Sequence, residues 1–463
     1  MSALILDDIP LDKVVWDPQI YPRQKWNTAT IERYADALEA GEKFPPIVLE
    51  HGTNRLLDGK HRLEAHKKVD APTIFAEWHE IPNGMTPKYY AASLSARHGD
   101  RLSNADIKEI AEAEFEANPK LNPTKWGQGL GVSKSAVYRW VSHILEREKA
   151  SRESKAWRLS KLGWTQEAIG EKLGVKQNTV SGIIENSHLG KIDTFLGDNW
   201  NEKGIGELAN RLNLSLTDCY AAALDGMQDA ARLDRLDIKS QPYDVWQFPN
   251  CHDLMGDNHP GRIPGQLIIQ ALYFFTKPND LIVDPMVGSG TTLDASLLMG
   301  RRCFGFDIDE RHGRPDIIQH NIAKDGWHDS VKKADLIFWD PPYFEKMDSH
   351  NIGKDGYIDG SISKLSRDEY LGFFAWRLSE AKSLVKTGAR LAFLMSDWDD
   401  DTGERDGIFI WDYAKIIQDA GWHLIRHIQA PLSTQQVHPD IVNKFRESRR
   451  LARLERYLLI AEA

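Results

Sequence analysis

Leu281–Thr292 reads LIVDPMVGSGTT, and Asp340–Tyr343 reads DPPY. The first stretch is an apolar run that ends in an acid and then turns on glycine. This pattern predicts a buried parallel strand, a tight loop and the start of a helix. Gly288 and Gly290 carry no Cβ, so the backbone there can approach a ligand closely. Thr291 and Thr292 are placed to cap a helix predicted through Leu293–Met299 and ending at Gly300. A second strand, Cys303–Phe306, runs into Asp307, with Asp309 just beyond. An acid about twenty residues past such a loop is placed to accept hydrogen bonds from ribose hydroxyls. A third apolar strand, Leu336–Trp339, delivers Asp340-Pro341-Pro342-Tyr343. Either motif alone could be a structural turn; their order on successive strands, with an acid between, points to a site. A dinucleotide enzyme would want a third glycine near 293 to seat a pyrophosphate, and Leu293 stands there.

The two motifs together resemble the DNA amino-methyltransferases that use S-adenosylmethionine, over roughly Tyr243 to the C-terminus. Asp284, Pro285, Gly288, Ser289, Gly290, Thr291 and Thr292 fit that family's cofactor loop. The resemblance implies a Rossmann-like domain whose loop holds the methionine end of the cofactor, with Asp307 and Asp309 on its ribose. It also implies that Asp340, Pro341, Pro342 and Tyr343 receive the target base. The exocyclic amine of adenine or cytosine is a poor nucleophile, because its lone pair is delocalised into the ring. Asp340 and the Pro341 carbonyl can accept hydrogen bonds from the two amine protons and so free that lone pair for in-line attack. The prolines stiffen the acceptors, and Tyr343 offers a ring to a base flipped out of the duplex.

Composition bounds the rest. The 463 residues suffice for more than one domain, and 41% hydrophobic content suffices for sizeable cores. The three cysteines, Cys219, Cys251 and Cys303, are far apart and form neither a disulfide framework nor a zinc pattern. None follows a proline, which argues against cytosine C5 chemistry. No metal site is expected. There is no signal-peptide pattern and no apolar run long enough to cross a bilayer, so a cytoplasmic protein without membrane contact is expected. The net charge of −10 is uneven: residues 120–180 hold twelve Lys and Arg against five Asp and Glu. DNA binding is local, so an acidic chain can carry a basic DNA-reading segment.

Residues 1–82 read as a small α/β block. Gly59-Lys60-His61-Arg62 sits at a strand–turn–helix junction, where a helix start and cations suit a phosphate. Gly59, His61 and Arg62 resemble the G-x-[HR]-R box of the ParB/sulfiredoxin-like domain, which implies contact with a nucleotide or DNA phosphates. Residues 83–240 read as helical, with helix-turn-helix units at about 121–145 and 158–186. Lys134, Ser135 and Arg139 of the first, and Lys176, Gln177, Asn178 and Thr179 of the second, are types that reach phosphates and base edges. Residues 203–225 read as structural helices or a degenerate third unit. Residues 241–463 form the predicted methyltransferase domain, a mostly parallel sheet with a reversed hairpin at its edge. Residues 344–364 are predicted to form a loop that closes over DNA.

The expectation is therefore a site-specific DNA methyltransferase, adenine N6 first and cytosine N4 close behind, of the restriction-modification kind. Its expected partner is double-stranded DNA, and a homodimer is left open. The competing expectation, from another class, is a ParB-like DNA-binding or partition protein whose methyltransferase fold is inactive. The enzyme reading requires Asp340 and the glycine turn to share one crevice.

Overall fold

The computed structural model describes every residue except 1–4, 24–26, 98–101, 197–200, 258–261, 310–312, 345–360, 399–406, 432–441, 444–445, 448 and 450–454. The chain forms two compact units, Met1–Lys149 and Ala150–Ala463. The sequence places a boundary near 240, yet the main hydrophobic cluster runs across that point. Trp157, Leu208 and Cys219 pack in the same cluster as Leu293, Phe338 and Leu458.

The first unit begins with strand β1 (Ile5–Pro10) and helix α1 (Thr28–Glu39). Strands β2 (Ile47–Glu50) and β3 (Leu56–Asp58), helix α2 (Lys60–Lys68) and strand β4 (Thr73–His79) follow. The sheet order is β1-β4-β2-β3. Strand β4 is absent from the sequence reading, although Thr73–His79 alternates as a half-buried strand should. Helices α3 (Pro87–Arg97), α4 (Asn104–Ala117) and α5 (Pro123–Gly129) lead to α6, Lys134–Lys161. Ser103 and Asp106 form a reciprocal capping box at the start of α4. Phe115, Trp126, Val137 and Val141 close a core around α3–α6.

Helix α6 is 28 residues long and runs well past the end expected for the first helix-turn-helix unit. Nothing between Leu145 and Lys161 offers the helix a stop: no glycine or proline interrupts it until Gly163. Its second half supplies the first helix of the next three-helix group, with α7 (Gln166–Leu173) and α8 (Gln177–Glu185). Gly174 ends α7 in the left-handed conformation at φ +65°, which makes the turn. Ala156, Leu159, Ile169 and Val180 form the small core expected from their spacing. Helices α9 (Ile192–Leu196), α10 (Glu202–Leu212), α11 (Leu216–Ala223) and α12 (Asp229–Arg235) complete this region.

Helix α13 (Gly265–Phe275) leads into the large sheet. Its parts are β5 (Leu281–Asp284), α14 (Thr291–Leu298), β6 (Arg302–Asp307), β7 (Ile317–Gln319) and α15 (Ile322–Asp325). They continue with β8 (Leu336–Trp339), α16 (Arg367–Leu384), β9 (Arg390–Met395), α17 (Ile410–Asp419), β10 (His423–Gln429) and β11 (Tyr457–Glu462). The order is β10-β11-β9-β8-β5-β6-β7. Strand β11 runs antiparallel between β9 and β10, whereas β9, β8, β5, β6 and β7 are mutually parallel. This is a mixed α/β, Rossmann-like methyltransferase sheet. Strand order reverses at β5, whose neighbours are β8 and β6, and ligands of such sheets bind where the order reverses. Strands β5 and β8 are buried along their whole length, as central parallel strands must be.

Candidate active site

Strand β5 ends at Asp284, which is 2% exposed. Its carboxylate accepts a hydrogen bond from the Thr292 hydroxyl (2.6 Å) and another from the Met286 N–H (3.0 Å). The expectation that Thr291 and Thr292 cap α14 is thus corrected: the cap position is Gly290, without a side-chain bond. The Thr292 hydroxyl is drawn to the carboxylate, since a buried acid needs every donor within reach. Gly288 (φ +52°) and Gly290 (φ +89°) both take the left-handed backbone that the turn requires. Among the described residues, nothing but the adjoining backbone lies within 4 Å of where a Cβ on Gly288 would stand. Gly290 differs: the Arg314 guanidinium fills that position. Ser289 and Thr291 are buried beside the turn, and Pro285 opens it.

Asp307 ends β6 and reaches back to the same turn. One of its oxygens accepts the Gly288 N–H (2.9 Å) and the other the Asp309 N–H (2.8 Å). The Val287 N–H donates to the Phe306 carbonyl (2.8 Å) and stitches the turn to β6.

Asp340 follows β8 directly, and the Tyr343 hydroxyl donates to it at 3.0 Å. Withdrawal of the Asp340 carboxyl from bulk water pushes its pKa up to about 6, against the pull of Arg456 and the Tyr343 hydroxyl. Burial pushes Asp284 up to about 7; its two hydrogen bonds oppose this, and the charges of Asp340 and Asp307 add to it. Asp284, at the end of the middle of three adjacent strands, therefore feels the charges of both Asp340 and Asp307. Asp340 and the glycine turn lie at the same end of the sheet. Among the described residues no cluster of His, Cys, Asp or Glu is suited to a metal ion.

Several supporting residues carry no motif. The Tyr370 hydroxyl on α16 donates to the Pro342 carbonyl (2.9 Å), and Tyr413 bonds to Tyr370 in turn. Phe344 packs edge-on against Trp398 at 4.7 Å between ring centres. These contacts hold the DPPY turn from outside. Tyr370 was legible only as one of several aromatic residues in a helix, with nothing to mark its hydroxyl. The predicted closing loop, 344–364, lies outside the described residues from 345 to 360.

The other predicted residues are placed as follows. Lys134, Ser135 and Arg139 are exposed at the start of α6 in the first unit. Lys176, Gln177, Asn178 and Thr179 are exposed at the start of α8 in the second unit. In the first unit, Gly59 (φ +100°) precedes α2. The Lys60 ammonium is buried against the Trp16 ring at 3.8 Å and bonds Glu64 at 2.7 Å. His61 accepts the Asn27 N–H (3.1 Å). The Arg62 guanidinium bonds Asp58 (2.8 Å) and the carbonyls of Pro45 and Pro46. This box thus ties α2 to the sheet and to the start of α1.

Residues 220–319 match the family model described as DNA methylase, of the N6/N4 type. That stretch holds the glycine turn and Asp307 and ends before DPPY. The chain is 31% identical over 91 residues to the DNA adenine methyltransferase YhdJ of Escherichia coli, covering 18% of this chain and 31% of that protein. It is 34% identical over 77 residues to the type II methyltransferase M.BglII of Bacillus subtilis, covering 16% and 21%. The matched stretches thus span less than a third of either relative. Among solved structures, TrmN from Thermus thermophilus aligns at 14% identity and a TM-score of 0.27, covering 44% of this chain and 50% of that one. The family-model similarity to DNA methylases of the N6/N4 type is thus confined to the part of the chain around the glycine turn.

Proposed function

We propose that this chain is a site-specific DNA methyltransferase acting on an exocyclic base amine, adenine N6 in the first place and cytosine N4 as the alternative. The observation that carries the reading is the convergence of Asp340, Asp284 and Asp307 on adjacent strands around the glycine turn. The turn at Gly288–Gly290 would hold the methionine end of the cofactor, and Asp307 with Asp309 its ribose hydroxyls. Bound there, S-adenosylmethionine supplies an electrophilic methyl group on a sulfonium. Asp340 and the Pro341 carbonyl would accept hydrogen bonds from the two amine N–H groups, turn the lone pair out of the ring plane and stabilise the positive charge on nitrogen until one of its protons is lost to solvent. Preorganised acceptors and in-line placement supply the rate. Tyr343, bonded to Asp340, stacks on the flipped base.

Exposed cations and amides at the starts of α6 and α8 serve as the DNA-reading residues. Residues 1–82 act as a ParB-like module whose Gly59–Arg62 box meets a phosphate through the start of α2. Incubation with radiolabelled S-adenosylmethionine and unmodified DNA tests the reading. Label should enter DNA and, after hydrolysis, co-migrate with N6-methyladenine. N4-methylcytosine instead would select the alternative, and no label in DNA would refute the proposal.

A further inference from the structure

Behind the glycine turn lies a cluster of buried charges that the chemistry above does not use. Arg158, near the end of α6, donates from Nε to Asp316 (2.7 Å), from Nη1 to Asp218 on α11 (2.6 Å) and from Nη2 to Asp294 on α14. Arg158 is 6% exposed, and Asp218, Asp294 and Asp316 are 4%, 5% and 1% exposed. Arg314 bonds Asp294 and Asp316 at 2.8–3.1 Å and also donates to the Ser289 carbonyl at 3.0 Å. The Asp294 carboxylate further accepts the Gly256 N–H at 2.7 Å. The turn, the helix after it and the segment before α13 thus hang on one carboxylate, and Arg158 holds that carboxylate from behind. Burial opposes the charge on Arg158, but its three acid partners outweigh it and raise the pKa well above the ordinary value.

The other end of this connection is the α7–α8 helix pair. The chain leaves α6 through Leu162, whose carbonyl accepts the Cys303 N–H of β6 at 3.0 Å. Gly163 (φ +94°) passes over the Arg302 side chain, and the Trp164 ring meets Phe304 at 6.5 Å. Trp157 and Leu162 belong to the same core cluster as Val287 and Leu293 of the turn and its helix. The base of the helix pair is therefore packed on the large sheet, and Arg158 connects that base to the turn through Asp294 and Arg314.

We propose that Arg158 is a positioning residue that couples DNA engagement by α8 to cofactor binding at the Gly288–Gly290 turn. The inference rests on the DNA methyltransferase reading above. A fork buried among three carboxylates has few arrangements, so a shift of α6 must be answered at Asp294 and hence at Ser289. Such coupling is reciprocal: whatever DNA does for the cofactor, the cofactor does for DNA.

The test is calorimetric titration of the full chain with S-adenosylhomocysteine, with and without a mixed-sequence DNA duplex at low salt, where phosphates of any sequence attract exposed cations such as Lys176 ahead of α8. For the parent protein the duplex should tighten binding about 5-fold or more. Arg158→Lys keeps the charge and loses the fork. It should weaken S-adenosylhomocysteine about 10-fold, abolish the effect of the duplex and leave duplex affinity without cofactor unchanged. A purely structural role would lower the melting temperature and leave the ratio intact. If that variant does not fold, Asp218→Asn, which loosens the arm that holds α11, should at least halve the effect of the duplex. A parent protein that does not bind S-adenosylhomocysteine overturns the function reading and this inference together. Binding with no duplex effect, or with one that the variants leave unchanged, overturns the coupling alone.

Discussion

At the scale of single residues, Asp340 and Asp284 carry the sharpest expectations. If Asp340 acts as an acceptor it must be ionised, so kcat/KM should rise through a pH of about 6, the pKa to which desolvation pushes it. Asp340→Ala should cost about 100-fold or more in kcat, the usual loss of a preorganised partner in the reaction, with S-adenosylhomocysteine affinity nearly unchanged. Asp340→Asn keeps one acceptor; it should retain part of the activity and lose the acid limb. A parent-like pH profile in that variant would show the limb belongs to another group. Asp284 makes a prediction on stability. Burial raises its pKa from 3.8 to about 7, so between about pH 4 and 7 the unfolded chain has released this proton while the folded chain keeps it. Folding therefore loses stability across that window, by an amount on the order of 4 kcal/mol, and nothing further above it. Asp284→Asn should gain on the parent from pH 4 to 7 and level off beyond, as urea unfolding at successive pH values would reveal. A stability difference that is flat with pH would show that Asp284 keeps its ordinary pKa.

At the scale of elements, the α7–α8 pair is the part whose role is most directly measurable. Its core of Ile169 and Val180 against the end of α6 leaves Lys176–Thr179 exposed. Replacing Lys176 by Ala should weaken DNA about equally for all sequences and reduce the slope of log affinity against log salt by about 1. Replacing Asn178 should alter sequence preference more than slope. Fluorescence anisotropy over a salt series separates the two, and an unchanged slope for the Lys176 variant would remove α8 from the DNA interface. These elements were readable because their signals are local. Thr165 caps α7 through its hydroxyl, Gly174 ends it, and the apolar spacing is that of a helix. Strands β4 and β7 were missed: β7 is only three residues long, and Phe75, Glu77 and His79 interrupt β4 with a mixed outer face although Pro72 and Pro82-Asn83-Gly84 flank it.

For the molecule as a whole, the core determines where the chain can be cut. Leu208, Leu212, Cys219 and Leu233 pack in one cluster with Leu267, Leu297 and Leu394, and Arg158 is ion-paired to Asp294 and Asp316. A fragment starting at Ala150 should fold and bind S-adenosylhomocysteine. One starting near Gln241 leaves a large apolar surface bare and Asp316 without Arg158, so it should be insoluble or molten. Circular dichroism and cofactor titration of both fragments decide the matter; a well-folded, binding-competent shorter fragment would show that the helices are dispensable.

The sequence by itself determined β5, α14, β6 and β8 in their order, the glycine turn and the DPPY turn, because each depends on neighbours within a few residues: apolar runs, positive-φ glycines, rigid prolines. Only the tertiary structure decided that Thr292 serves Asp284 rather than the helix end. It likewise decided that Tyr370 braces Pro342 and that Arg158 and Arg314 meet on Asp294. Those partners lie between 8 and 136 residues apart. Their pairing follows from burial, which forces each polar group to find a partner wherever the fold brings one, and no local pattern encodes that choice.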